Sequence, residues 1–111
     1  MDDQAGRAWE EAKQRFPTGM LVTGVVVEHR PFGIFVDLAD PVALGLVQIV
    51  DFVDRGGMTP ELYPPIGSTV EAVVLGHTEI RRRQVWLGMK PSQLKGLIEA
   101  DRHDFGDTAE V

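Results

Sequence analysis

The amino-acid sequence predicts an all-β domain, in which five short strands close into a small barrel with a short helix at either end. Three observations carry this. Five segments are rich in valine or alternate apolar with polar residues, the period of a strand with one buried face. Glycine and proline punctuate the chain most densely over residues 51–67, which sets a long connection between the third and fourth segments. A lone five-stranded sheet would also leave two unpaired edges, and closure removes them.

The elements follow in order. Ala5, Ala8, Trp9, Ala12 and Phe16 recur at steps of three and four, so residues 5–16 read as a helix with one apolar face. Pro17 ends it and biases Phe16 away from helix; Trp9 and Phe16 dock onto the next unit. LVTGVVVE (21–28) is the first strand, with Gly24 marking a bend or bulge. GIFVDL (33–38) is the second, and Asp40 and Pro41 turn the chain after it. LGLVQIV (44–50) is the third. The connection over 51–67 has room for one short helical turn at most on either side of Gly56 and Gly57. TVEAVVLGHT (69–78) is the fourth strand, EIRRR a polar turn, and QVWLGM (84–89) the fifth. Pro91 and Ser92 start a second helix, with Leu94, Leu97 and Ile98 on its buried side. The domain organisation is an N-terminal helical extension (1–18), the barrel (19–90), and a C-terminal helix with a polar tail (91–111).

A chain of 111 residues suffices for one core. No apolar run approaches the roughly 20 residues that cross a bilayer, so no membrane association is expected. The start, MDDQAGRAWEEAKQRF, is too acidic for a secretory signal, and a cytoplasmic location is the simplest expectation. The absence of cysteine excludes disulfides and thiolate metal sites. The net charge is −6, but residues 17–90 hold six Lys/Arg against eight Asp/Glu, so most of the acidic excess lies in the flanks. Arg81, Arg82 and Arg83 form the one basic cluster, where a nucleic-acid binder usually has a broader basic footprint.

HRPFGIFVDL (29–38) draws attention for another reason. In the strand, Ile34, Val36 and Leu38 share one face and Gly33, Phe35 and Asp37 the other. An all-aliphatic core face leaves Phe35 outside beside a carboxylate, with Phe32 just ahead. An exposed aromatic pair is expected to be covered by something else.

From Gly24 to Met89 the chain resembles the S1-type RNA-binding domain, a subclass of the OB-fold (oligonucleotide/oligosaccharide-binding). The landmarks are Gly24-Val25-Val26, Phe32-Gly33-Ile34-Phe35-Val36, Gly45-Leu46-Val47-Gln48-Ile49, Gly67 with Val70 and Val74, and Leu87-Gly88-Met89-Lys90. The resemblance implies a five-stranded S1-like barrel that binds RNA, with Phe32 and Phe35 as base-stacking platforms. Three polar positions of the family's RNA face differ. Gln48 stands where the family often has histidine, Thr78 where it has aspartate, and Gln84 where it has arginine. The last hairpin is one residue longer, which lets Arg83 slide into the arginine's role. Gly88 replaces a serine, and His29 lies where an aliphatic residue is common.

Plainer readings stand beside these. Phe32 and Phe35 are alternatively packing residues, one of them under the N-terminal helix. The three arginines are alternatively a solvated hairpin tip. Trp86 points away from the interior, either to pack against a terminal helix or to extend a binding surface. His29, His77 and His103 share no ligand spacing, so no metal site is expected. Asp37 and Asp40 are read as turn carboxylates. With no Gly-rich phosphate loop, cysteine nucleophile or serine motif, neither catalysis nor a cofactor is expected. The expected function is therefore a small non-catalytic module that binds single-stranded RNA with little sequence preference, in a ribosome-associated setting. In it Phe32 and Phe35 stack bases, Gln48 hydrogen-bonds a base or sugar, and Arg81, Arg82 and Arg83 meet phosphate. The alternative is a protein-interaction module whose acidic surface engages a basic partner such as a ribosomal protein.

Overall fold

The computed structural model describes residues 4–79 and 82–94. Its elements are a helix α1 (Gln4–Arg15) and strands β1 (Leu21–Arg30), β2 (Gly33–Asp37), β3 (Leu44–Gln48), β4 (Thr69–Thr78) and β5 (Gln84–Gly88). Short 3-10 turns stand at Ile49–Asp51 and Pro60–Leu62, one on each side of the Gly56–Gly57 pair, as the glycine and proline spacing predicts. The strands form a closed barrel in the order β1-β2-β3-β5-β4. The β3–β5 pair is parallel and the other four pairs are antiparallel. No helix among the described residues is long and apolar enough to cross a membrane.

β1 is long because it serves two neighbours. Leu21–Val25 pair with β4, and Val25–Arg30 pair with β2. Its irregularity falls between Val26 and Glu28 and not at Gly24. Gly24 is there for a different reason: a Cβ on it would stand 2.7 Å from the Asp37 carbonyl oxygen. β3 is shorter than the apolar run suggests. Its pairing with β2 ends where β2 begins, at Gly33 opposite Gln48, and the chain then curls into the 3-10 turn. The interior is aliphatic: Val26, Ile34, Val36, Val47, Val74, Val85 and Leu87 are fully buried.

The N-terminal helix is part of this core. Trp9 and Ala12 are buried and join the barrel's hydrophobic cluster, with Phe16 packed against it. The Phe16 amide donates to the Ala12 carbonyl at 3.1 Å, and Pro17 then ends the helix. The long connection is pinned too: the Tyr63 hydroxyl donates to the Arg30 carbonyl at 2.8 Å, and His29 Nε2–H donates to the Pro64 carbonyl at 2.8 Å. A helical turn at 91–94 follows β5, with the Asp54 carboxylate accepting the Ser92 amide at 2.9 Å. Serine is thus held from outside the turn. The first-turn capping contact is made by Gln93 Oε1, which accepts the Lys90 amide at 3.0 Å. Leu97, Ile98 and the polar tail lie outside the described residues.

Asp40 ties the helix to the β2–β3 turn. Arg15 Nε and Nη2 donate to its two carboxylate oxygens at 2.8 and 3.0 Å, and the Val42 and Ala43 amides add two more donors. The Arg15 guanidinium and these amides hold the Asp40 pKa at about 2, below the ordinary 3.8. A depressed carboxylate stabilises the fold fully above its unfolded pKa, and that contribution disappears as pH falls through the folded pKa. Asp40 therefore contributes at most about 2 kcal/mol, at 1.36 kcal/mol per pKa unit, since Arg15 is partly solvated. Asp40→Asn is expected to remove most of this at neutral pH. It should also flatten the fall in stability between about pH 4 and 2, a change that chemical denaturation across that range measures.

Candidate nucleic-acid interface

The barrel's register assembles a cleft on its outer face. Phe35 on β2 stands opposite Leu46 on β3, Leu46 opposite Trp86 on β5, and Trp86 opposite Gly76 on β4. One row along, Gly33 faces Gln48; on the other side, Leu44 faces Gln84 and Gln84 faces Thr78. Gly33 is required by proximity, because a Cβ there would collide with the Val47 carbonyl oxygen and lie 2.9 Å from Gln48 Cα. The close approach of β3 brings Gln48 up beside the phenylalanines. The resulting open cleft of about 810 Å³ is lined by Phe32, Phe35, Leu46 and Trp86 among apolar groups, and by Arg30, Gln48, His77, Thr78, Arg82 and Gln84 among polar ones.

Phe32 and Phe35 are neighbours, edge to face, with ring centroids 6.1 Å apart and planes at 82°. Of the aromatic pair expected on the outer face, only one ring is exposed. Phe32 is 50% exposed, but Phe35 is only 5% exposed. Alternation placed Phe35 on the outer face, and the register agrees, with Glu28 and Leu46 flanking it. Phe32 packs edge-on against it. The N-terminal helix contacts other parts of the barrel: Arg15 meets Asp40, and Trp9 lies edge-on to His77 with centroids 6.2 Å apart.

The three arginines do not act as one cluster. Arg82 lines the cleft. Arg83 Nη1 donates to the Ala5 carbonyl at 3.0 Å and so serves the N-terminal helix. Arg81 lies outside the described residues. Thr78 and Gln84, which replace charged residues of the family pattern, are paired in register and both line the cleft, as does Gln48. At these three positions the cleft presents neutral amides and a hydroxyl, and its charged groups are Arg30 and Arg82. His77 Nε2 is 2.7 Å from the Phe16 carbonyl; a carbonyl can only accept, so Nε2 carries the proton.

Sequence reasoning missed Arg30, Leu46 and His77 and left Trp86 undecided. Arg30 reaches the cleft from the end of β1 and is paired with Glu28. Trp86 is tied to the Ile49–Asp51 turn, its Nε1–H donating to Asp51 Oδ2 at 3.1 Å. Among the described residues no group of His, Asp and Glu could hold a metal ion.

The family model of the S1 RNA binding domain matches residues 15–86. Small ribosomal subunit protein bS1 of Rickettsia typhi is 30% identical over 100 residues, covering 88% of this chain and 17% of that protein. The bS1 of Rickettsia conorii is 33% identical over 92 residues, covering 82% and 16%. The chain thus spans about a sixth of the length of these relatives. Among solved structures, GSP13 from Bacillus subtilis superposes with a TM-score of 0.60 at 27% identity, over 70% of this chain and 58% of that one. The a/eIF2alpha–aDim2p–rRNA complex from Pyrococcus horikoshii matches with a TM-score of 0.58 at 18% identity, over 78% of this chain and 54% of that one, a likeness of fold. Closed barrel, matched motifs and family model agree: this chain belongs to the S1 RNA-binding domain family.

Proposed function

We propose that this chain is a non-catalytic module that binds single-stranded RNA in the cleft, chiefly by stacking bases on aromatic rings and with little sequence preference. One observation carries the proposal. Phe32, half exposed, stands at the cleft wall braced edge-on by Phe35, with neutral hydrogen-bonding groups and two arginines around them. A planar base gains about 1–3 kcal/mol on such a platform whatever its identity. Gln48, Thr78 and Gln84 hydrogen-bond base edges or sugars, and Arg82 meets phosphate, with Arg30 and Arg81 as further cations. The ribosomal identity of the relatives supports a ribosome-associated, cytoplasmic role.

The few cations have a measurable consequence. Each neutralised phosphate of a single strand contributes roughly −0.7 to the slope of log affinity against log salt concentration. Arg30, Arg81 and Arg82 then allow a slope no steeper than about −2. Titration of labelled oligouridylate at several salt concentrations measures it. A much steeper slope would require a basic surface elsewhere on the chain.

The acidic balance, −6 over the whole chain, favours a second reading, in which the chain's acidic surface engages a basic protein and the exposed Phe32 adds to the contact. In that case the titration shows no RNA binding at low salt, and Phe32 becomes an anchor for that partner.

A further inference from the structure

The outer face holds a third aromatic ring that a two-phenylalanine site does not use. Trp86 stands in the same cross-strand row as Phe35 and Leu46, 37% exposed at the cleft. Two strand spacings separate it from Phe35, roughly 10 Å at about 4.8 Å each. That distance is too great for both rings to stack on one base and suits successive bases of one strand.

The indole is held at its edge, and the residue stays partly exposed at the cleft. Asp51 Oδ2 accepts the Trp86 Nε1–H at 3.1 Å, and Oδ1 accepts Gln93 Nε2–H at 3.3 Å. The Met89 amide donates to the Asp51 carbonyl at 2.8 Å. Asp51 is buried, and a desolvated carboxylate is costly unless donors satisfy it.

The neighbouring positions make room for this arrangement. On β4 the residue facing Trp86 is Gly76, and a Cβ there would lie 3.8 Å from Trp86 Cε3, so any larger side chain would rest on the ring. Gln93 reaches Asp51 past Gly88, where a Cβ would collide with the Gln93 amide. Gly76 and Asp51 thus meet the indole directly, and Gln93, with Gly88 beside it, holds Asp51 from behind.

We propose that Trp86 is a third base-stacking platform, held by Asp51 as its positioning residue, and that the bound strand crosses from Phe32 and Phe35 over β3 to β5. The proposal rests on the single-stranded RNA reading above. Oligouridylates of increasing length, titrated against the full chain, test it. Removing one base–aromatic stack weakens binding by about 5- to 140-fold. Trp86→Ala should show that loss for long oligonucleotides and none for those too short to span from Phe32 to Trp86. Trp86→Phe should restore most of the affinity. In the wild type, saturating RNA should quench tryptophan fluorescence, and Trp86→Phe should abolish the quench because Trp9 is buried. Asp51→Asn should lower both affinity and quench several-fold while Trp86 remains in place.

If Phe32→Ala weakens binding and Trp86→Ala binds like the wild type, the third platform is overturned while the RNA reading stands. If the wild type binds no oligouridylate, the RNA reading fails and the platform falls with it. Should Trp86→Ala fail to fold, the wild-type quench decides, and its absence at saturation overturns the proposal. An Asp51→Asn protein with full affinity and quench overturns the positioning role of Asp51.

Discussion

Trp9→Ala should lower the unfolding free energy by about 3–5 kcal/mol, the usual cost of truncating a fully buried large aromatic. A domain of this size typically has about 5–15 kcal/mol in all, so the loss should be visible as a large drop in the denaturation midpoint. The reason is positional. Trp9 is 1% exposed, and with Ala12 it belongs to the same cluster as Val26, Val36 and Leu87, although the helix that carries it lies outside the five strands. Arg15 on Asp40, Arg83 on the Ala5 carbonyl and His77 on the Phe16 carbonyl hold that helix from three other sides. A loss under about 1 kcal/mol in urea denaturation, the scale of a partly exposed site, would mean that the helix is an appendage.

The second large effect separates Phe32 from Phe35. Phe35→Ala should cost both stability and binding. Its ring is covered but lies outside the barrel's interior cluster, so the stability cost should be about 3 kcal/mol, the low end for a buried phenylalanine. Binding should weaken as well, because Phe32 loses the ring that braces it. Phe32→Ala should do the opposite of a core substitution. Half exposed, Phe32 should change stability by no more than about 0.5–1 kcal/mol. Its removal should nevertheless weaken RNA binding roughly tenfold or more, at 1.4 kcal/mol per decade and about 1–3 kcal/mol per stack. Thermal melting and titration on the same two variants make the comparison.

Much of the fold was legible because strands announce themselves by local period. The fourth strand runs over 69–78 in both sequence and structure, and the inner face of Ile34, Val36 and Leu38 is buried as alternation requires. Boundaries moved where pairing or turn chemistry overrode the pattern. The third strand stops at Gln48, where β2 no longer lies alongside. The second stops at Asp37, whose carboxylate accepts the Ala39 amide at 2.8 Å and turns the chain, leaving Ala39 left-handed at φ 58.

The cleft was only half legible. The two phenylalanines and Gln48 stand near one another in sequence on adjoining strands, and motif spacing points to them. Arg30 and Leu46 join them through the β1–β2 and β2–β3 pairings, and His77 and Trp86 only through the parallel β3–β5 pairing and the β4–β5 hairpin register, none of which local periodicity contains. Asp51 and Trp86 are 35 residues apart, and their contact is a product of closure. Alternation also tells which face a side chain takes, not what lies over it. Phe35 thus takes the outer face that alternation predicts, yet is buried there.

The proposed binding of single-stranded RNA in the cleft depends on Phe32. Titrating labelled oligouridylate at low salt against wild type and Phe32→Ala tests it most directly. The account predicts saturable binding by the wild type and binding at least about tenfold weaker by the variant, with the two proteins melting within a few degrees of each other. Equal affinity of the two proteins, or no binding by either, would contradict it.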